Sequence, residues 1–241
     1  MKRFLIAVSA TAMAFSFSAC AQAGQGPDMN EADVERIIKD YLMENPEIIR
    51  DALIELDERQ DREAIAAVSD QIFNDSRDVS VGPEDAKVTV VEFFDYNCGF
   101  CKNSTQWVED LLEDYPNDVR VVFKELPILD SRSKTSRYAA KAALAAGRQD
   151  KYTEVHFALM DERSLTQDRI RQVVEDKGVN MKKFDADMKD VALDRQIEDT
   201  LLLSSRIPAL TGTPFFLVNN DFVSGANTNR LDELLEKALE G

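Results

Sequence analysis

The stretch FFDYNCGFCKNS, Phe93 to Ser104, decides the fold class of this chain. It joins an aromatic, β-branched run to two cysteines, Cys98 and Cys101, which are separated by two residues. The residues from Val88 to Phe94 are typical of a buried strand, and helical spacing begins near Cys98. The stretch therefore indicates an α/β unit in which a strand presents a cysteine pair at the start of a helix.

Such a pair could belong to a zinc site, a structural disulfide or a redox centre. A structural zinc site needs four ligands, and the distant His156 is the chain's single histidine. A bridge between Cys98 and Cys101 closes a very short loop, so it constrains the unfolded chain little. Free N–H groups at a helix start stabilise a thiolate on the first cysteine. The pattern favours a redox pair in which Cys98 is the exposed nucleophile and Cys101 resolves a mixed disulfide.

The first 23 residues predict a secretory signal peptide. Lys2 and Arg3 precede an apolar run from Phe4 to Ala19, and an A-x-A site ends at Ala23. The run is shorter than the roughly 20 apolar residues of a membrane-spanning helix. In the alternative interpretation, FSAC is a lipoprotein box that ends at a lipidated Cys20. Both interpretations predict export, to the periplasm.

The charge balance excludes some partners. The formal net charge is −16, and loss of Lys2 and Arg3 with the leader leaves 27 basic against 45 acidic residues, or −18. Such a balance argues against nucleic acid and anionic membrane surfaces as partners. It indicates a solvated acidic surface.

Residues 24–75 predict helices that precede the redox unit. Asn45-Pro46 marks a boundary between two apolar faces, and the charged run 57–63 follows as a helical linker. Short amphipathic helices are unstable alone, so they must pack on the redox body or on other copies of the chain. We expect self-association, with packing on the body as the alternative. The first apolar face contains Val34, Ile37, Ile38, Tyr41 and Leu42.

The remaining chain predicts an α/β plan with one central sheet. Asn219-Asn220-Asp221 suits a tight turn between the last two strands. The expected domains are a signal peptide at 1–23, a helical segment at 24–75 and a redox domain at 76–241. The further elements predicted are strands at 119–124, 215–218 and 221–224, a helical region at about 133–205 and a final helix at 227–239.

Three segments carry a family resemblance. VEFFDYNCGFC, residues 91–101, resembles the active-site segment of the DsbA-like branch of the thioredoxin superfamily. RYAAKAA at 137–143 and GTPFF at 212–216 fit the same branch, so the resemblance covers about 81–241. VERIIKDYLMENPE at 34–47 resembles the amino-terminal region of the suppressor-of-copper-sensitivity (ScsC) family. The resemblance implies a thioredoxin-like fold with a helical insertion, preceded by an N-terminal helical segment.

The resemblance also implies further site residues. It predicts a cis peptide bond at Thr213-Pro214 facing the cysteines, with Thr213 pairing with an extended substrate and Pro214 shielding the sulfurs. Glu92 occupies the position of a buried acid that, in this branch, accepts a proton from Cys101. The resemblance implies that Lys124 is the charged partner of Glu92. The alternative is that Glu92 and Lys124 are strand-end charges that reach water.

One departure from the branch bears on the redox pair. Its best-known oxidant has Pro-His between the cysteines, whereas this chain has the uncharged Gly99-Phe100. We therefore expect Cys98 to be less acidified and the pair less oxidising. His156 is expected to be a packed or surface histidine.

Three functions fit these residues. A disulfide isomerase attacks wrong disulfides and benefits from several active sites in one oligomer, and the ScsC resemblance implies a trimer. A monomeric dithiol oxidase passes its disulfide to folding proteins. A copper-tolerance protein would bind Cu(I) through Cys98 and Cys101, since thiolates suit soft ions. We expect no cofactor. The expected partners are misfolded or disulfide-bonded exported proteins, and a membrane reductase of the DsbD or ScsB type or a DsbB-like oxidase.

Overall fold

A five-stranded sheet is the centre of the computed structural model, which describes residues 30–241. The strand order is β1-β3-β2-β4-β5. β2 is parallel to β3, while β1 and β4 are antiparallel to their neighbours, and β5 pairs with β4. The strands are β1 Val79–Val81, β2 Val88–Phe94, β3 Val119–Glu125, β4 Phe215–Val218 and β5 Asp221–Ser224.

The sheet is covered on both faces, so its central strands are nearly continuous apolar runs. On what we call the first face, Val90, Phe94 and Phe123 pack against helices that include the one carrying Cys101. On the second face, Phe93 and Val122 pack against apolar residues of the helical region that precedes β1, such as Ile72. Successive side chains of a strand point to opposite faces, and the register of β2 with β3 determines which charged residues share a face.

Helices fill the interval between β3 and β4, as predicted for about 133–205. The alanine-rich helix Ser136–Gly147 is almost entirely buried, because small side chains allow neighbouring helices to approach closely. The predicted α/β plan with a helical insertion and preceding helices is confirmed. The helices of the described residues are α1 Glu31–Glu44, α2 Glu47–Ala67, α3 Ser69–Phe73, α4 Gly99–Asp114, α5 Asp130–Ser133, α6 Ser136–Gly147, α7 Tyr152–Asp161, α8 Gln167–Asp176, α9 Met181–Asp187, α10 Val191–Ser204 and α11 Thr228–Glu240.

The described residues divide into two units, and the boundary between them lies after Leu53. In the first unit, the Asn30 side chain caps α1 by accepting a hydrogen bond of 3.0 Å from the Asp33 N–H. α1 ends before Asn45-Pro46, as predicted, and α2 begins at Glu47.

The predicted signal peptide, the alternative lipidation of Cys20 and the start of the helical segment lie outside the described residues. Among the helices of residues 30–241, none has the length and apolar character needed to cross a bilayer.

The hairpin between β4 and β5 forms at the predicted asparagines. Asn219 has a φ of 51°, a left-handed conformation that asparagine tolerates. Its side-chain oxygen accepts a hydrogen bond of 2.8 Å from the Thr89 N–H on β2. The turn therefore fixes the position of β4, and with it Thr213-Pro214 just before that strand.

Candidate active site

Cys98 occupies the N-cap position of α4, as the strand-to-helix pattern predicts. The side chain of Cys98 is 7% exposed, and its Sγ lies 3.1 Å from the carbonyl oxygen of Thr213. A hydrogen bond from the Cys101 thiol lowers the pKa of Cys98 to about 5, with further hydrogen bonds from the Thr213 side chain and the backbone N–H groups of Cys101 and Phe100. Thr213 thus serves both protonation states: its carbonyl accepts from the thiol, and its hydroxyl stabilises the thiolate.

Cys101 lies one turn into α4 and is fully buried. Burial is the main cause that raises the pKa of Cys101, and the hydrogen bond to Cys98 and the charge of Glu92 raise it further. Both cysteines are free thiols in this structure. The pair is therefore asymmetric, with a thiolate on the more accessible sulfur and a proton on the inner one, in the order that the sequence predicts.

Thr213-Pro214 is a cis peptide bond, as the resemblance implies. The contact between Thr213 and the Cys98 sulfur places this bond beside the redox pair. The Pro214 carbonyl accepts a hydrogen bond of 2.9 Å from the Gly225 N–H, so the segment is attached to the far end of the β4–β5 hairpin. Phe100, between the cysteines, is 67% exposed and forms an apolar surface next to Cys98.

Glu92 lies on the first face of the sheet and is 2% exposed. Its Oε1 has no hydrogen-bond partner. Burial, followed by the negative charge of Cys98, raises the pKa of Glu92 to about 8. A carboxyl that exchanges its proton near neutral pH, next to two cysteines, has the properties of the predicted proton acceptor.

Lys124 does not pair with Glu92, so this part of the prediction is wrong. β2 and β3 are aligned so that Phe93 faces Lys124, which places Lys124 on the second face and Glu92 on the first. The Lys124 ammonium instead forms a buried ion pair with Asp78 and donates a hydrogen bond to the Gln71 carbonyl. Lys124 also does not reach water, because it is 1% exposed.

The buried Glu92 predicts a dependence of stability on pH. Between the ordinary carboxyl pKa of about 4.5 and the folded value of about 8, folded Glu92 holds a proton that the unfolded chain releases. Stability therefore falls as pH rises through this window. The free energy of unfolding is measured in urea for Glu92→Gln and for the wild type. As pH rises through the window, the value for Glu92→Gln should increase relative to that of the wild type by on the order of 1 kcal/mol per pH unit. Glu113→Gln, at an exposed position of α4, is the control, and equal pH slopes for Glu92→Gln and wild type would contradict the assignment.

The structure adds a buried polar cluster that the sequence analysis missed. The hydroxyls of Tyr96 and Tyr152 donate hydrogen bonds of 3.0 and 2.8 Å to Glu125 Oε1. His156 Nδ1 lies 3.0 Å from the Tyr96 hydroxyl oxygen. Burial raises the pKa of Glu125 well above its ordinary range. Burial also lowers the pKa of His156 to about 3, so the imidazole is neutral at pH 7. His156 is thus a packed histidine, which is one of the two alternatives that the sequence left open, and it joins the loop before Cys98 to α7.

Asp95 is a further residue that the sequence analysis did not identify, although it lies three residues before Cys98. It is 1% exposed and accepts hydrogen bonds from the Asn97 and Leu129 N–H groups and from the Ser136 hydroxyl. The charged residue between Phe94 and Tyr96, in a segment otherwise buried, was the signal that could have identified it.

Among residues 30–241, no group of three or more His, Cys, Asp and Glu side chains is arranged to hold a metal ion.

Solved structures resemble this chain over most of its length. A thioredoxin-like oxidoreductase from Silicibacter pomeroyi is 32% identical, with a TM-score of 0.64, and the match covers 71% of this chain and 98% of that one. A linker-deletion variant of Proteus mirabilis ScsC is 27% identical, with a TM-score of 0.69, and the match covers 88% of this chain and 98% of that one.

Comparison with curated proteins and family models places the chain in a family. The Na(+)/H(+) antiporter NhaA 3 of Salinispora tropica is 34% identical over 151 residues, which are 59% of this chain and 22% of the antiporter. The chain spans a quarter or less of the length of such antiporter relatives. Residues 30–63 match the Copper resistance protein ScsC N-terminal domain, and residues 89–238, more than half of the chain, match the DSBA-like thioredoxin domain. The chain belongs to the DsbA-like thioredoxin family and carries an ScsC N-terminal domain ahead of its thioredoxin domain.

Proposed function

We propose that this protein is an exported thiol–disulfide oxidoreductase of the periplasm that acts mainly as a disulfide isomerase. The observation that carries the proposal is the asymmetry of the pair, with an acidified Cys98 at a helix start and a buried, protonated Cys101. A nucleophilic thiolate beside a resolving thiol is the arrangement that disulfide exchange requires. The family membership and the likeness to a thioredoxin-like oxidoreductase support the same chemistry.

In the proposed reaction, the Cys98 thiolate attacks one sulfur of a substrate disulfide. The bond between the substrate sulfurs breaks, a mixed disulfide forms at Cys98, and the second substrate cysteine leaves as a thiolate. A different substrate thiolate then attacks the mixed disulfide, which forms a new substrate disulfide and restores Cys98 without net transfer of electrons.

Cys101 provides the exit from a stalled mixed disulfide. In the mixed disulfide Cys98 no longer carries the charge that helps to raise the pKa of Glu92, and Glu92 in its carboxylate form takes the Cys101 proton. The Cys101 thiolate then attacks the Cys98 sulfur. The substrate leaves with both cysteines reduced, and the protein keeps a Cys98–Cys101 disulfide that carries the two oxidising equivalents. A membrane reductase of the DsbD or ScsB type would return these cysteines to the thiol state, and misfolded exported proteins would be the substrates.

We propose that the N-terminal helices join copies of the chain. On α1, Val34, Ile37, Ile38 and Tyr41 form one apolar stripe and are between 38% and 56% exposed. Exposed apolar stripes of this kind mark protein–protein contacts. The match to the ScsC N-terminal domain supports a trimer, which would present several active sites to one substrate.

A charge placed in this stripe should separate the copies. We expect Ile37→Asp with Tyr41→Asp to reduce the mass in solution to that of one chain, because buried aspartates would be unpaired in the interface. Reactivation of scrambled ribonuclease should fall, while reduction of insulin continues. Met43→Asp is the matched control, since Met43 is 74% exposed on the side of α1 opposite the stripe. A wild-type protein with the mass of one chain would refute the proposed assembly.

One observation favours the oxidase alternative. A thiolate with a pKa of about 5 stabilises the reduced state, which makes a pair more oxidising. We expected Cys98 to be less acidified than in the best-known oxidant of the branch because Gly99-Phe100 carries no charge. The Cys101 thiol, Thr213 and the start of α4 supply the hydrogen bonds that lower its pKa here. Isolation of the protein as a monomer with a Cys98–Cys101 disulfide would favour an oxidase that is reset by a DsbB-like partner. Tight Cu(I) binding by the same two thiols, without disulfide exchange, would favour the copper alternative.

A further inference from the structure

Asp95 is a buried acid that the exchange reaction does not use. Its carboxylate accepts three hydrogen bonds from three different segments of the chain. Oδ1 accepts from the Asn97 N–H at 2.8 Å and from the Ser136 hydroxyl at 2.7 Å, and Oδ2 accepts from the Leu129 N–H at 2.8 Å. These donors belong to the turn before Cys98, the loop after β3 and the start of α6.

The backbone of Asp95 contacts both ends of the redox pair. Its carbonyl accepts a hydrogen bond of 2.9 Å from the Cys98 N–H. Its own N–H favours the thiolate form of Cys101. A rotation of residue 95 would therefore disturb the Cys98 backbone and the donor that faces Cys101, and the three hydrogen bonds to the Asp95 carboxylate oppose that rotation.

Asn97 provides a second attachment of the same turn. Its side-chain N–H groups donate to the hydroxyls of Thr135 and Ser136 at 3.1 and 3.0 Å. Ser136 is fully buried and contacts both Asp95 and Asn97, so its hydroxyl joins the two attachments. The turn that presents Cys98 is thus anchored to the point where the helical insertion begins.

We propose that Asp95 is a positioning residue that holds the turn 95–98. The turn keeps the Cys98 sulfur aligned with the α4 N–H groups and with Thr213, and Asp95 thereby sets the nucleophilicity of Cys98. A thiolate at a helix start is stabilised by donors whose effect falls steeply with distance and angle. A small displacement of the turn would weaken several of them together. The inference rests on the proposed role of Cys98 as the nucleophile.

Two explanations of Asp95 predict opposite signs for its neutralisation. If Asp95 acted only through its negative charge, removing that charge would favour the Cys98 thiolate and lower the pKa of Cys98. If Asp95 positions the turn, Asp95→Asn raises that pKa, because the new amide N–H₂ would face the Leu129 N–H or the other donors. The other titratable groups that act on Cys98 are Cys101 and Glu92, and Asp95→Asn leaves both in place.

The test is a titration of thiolate absorbance at 240 nm together with the rate of Cys98 alkylation at pH 5. We expect Asp95→Asn to raise the pKa of Cys98 by about one unit, which corresponds to roughly fivefold slower alkylation at pH 5. Ser136→Ala keeps the charge but removes one donor, and should shift the pKa in the same direction by less. Asp130→Asn is the matched control, because it removes a nearby charge that accepts only the Arg137 N–H.

A folded Asp95→Asn protein in which the pKa of Cys98 is unchanged or lower would overturn the inference. Loss of thermal stability alone would also count against it, since a structural role does not change the thiolate fraction. If Asp95→Asn does not fold, Ser136→Ala decides by the same criterion. An ordinary pKa for Cys98 in the wild type would instead contradict the proposed function, so the two failures are distinguishable.

Discussion

Cys101→Ala is expected to convert the protein from a catalyst of disulfide reduction into a trap for its substrates. Cys98 can still attack a substrate disulfide, because Thr213 and the N–H groups at the start of α4 still stabilise its thiolate after the largest contribution, the Cys101 hydrogen bond, is lost. The mixed disulfide then has no internal thiol to resolve it. We expect at most one insulin molecule attacked per chain, and stable covalent complexes on non-reducing gels.

The control for this prediction is the double variant Cys98→Ala with Cys101→Ala, which should form no complex. Cys98→Ala alone should also form none, because burial keeps Cys101 protonated. Multiple turnover by Cys101→Ala, or complexes formed through Cys101 in Cys98→Ala, would reverse the roles assigned to the two cysteines.

Lys124→Met is expected to destabilise the protein by about 3–5 kcal/mol, because it leaves Asp78 as an uncompensated buried charge. In the wild type, Asp78 forms an ion pair with the Lys124 ammonium. Its Oδ1 also accepts a hydrogen bond of 3.3 Å from the Gln196 side-chain amide. Replacing both members of the pair, as Lys124→Met with Asp78→Leu, should recover most of this loss. Urea unfolding of Lys124→Met, Asp78→Leu and the double variant, each compared with wild type, measures the cycle.

The same variants separate a structural from a catalytic role of Lys124. Under conditions where it stays folded, Lys124→Met should reduce insulin at the wild-type rate, since Lys124 and Glu92 lie on opposite faces of the sheet. A variant that keeps its stability but exchanges disulfides slowly would restore the role in proton transfer that the sequence suggested. Asp78→Asn extends this comparison, because it removes the partner charge and leaves Lys124 in place.

Much of the fold could be predicted because its signals are local. The runs of β-branched and aromatic residues predicted β2 to β5, and the Asn219-Asn220 turn lies where its composition indicated. The position of Cys98 at a helix start follows from a strand that ends beside the cysteine pair. β1 was missed, since its three residues, Val79 to Val81, are too few to show a period.

The partners of the buried charges could not be predicted because they depend on register and on distant contacts. A strand buried on both faces shows no alternation of polar and apolar residues, so the sequence does not tell which face Lys124 occupies. Its partner Asp78 lies 46 residues earlier in the chain, before the sheet begins. The Tyr96–His156 contact spans 60 residues, and the adjacent charges Lys124 and Glu125 point to opposite faces.

Reactivation of scrambled ribonuclease by the reduced protein shows whether the cysteine pair isomerises disulfides, with Cys98→Ala as the blank. We expect recovery of ribonuclease activity well above the blank, because the Cys98 thiolate opens wrong disulfides and another ribonuclease cysteine then displaces Cys98 from the mixed disulfide. Recovery no greater than the blank, with both thiols shown to be free and reactive to alkylation, would contradict the isomerase assignment. The cysteine pair would then serve in oxidation or in Cu(I) binding.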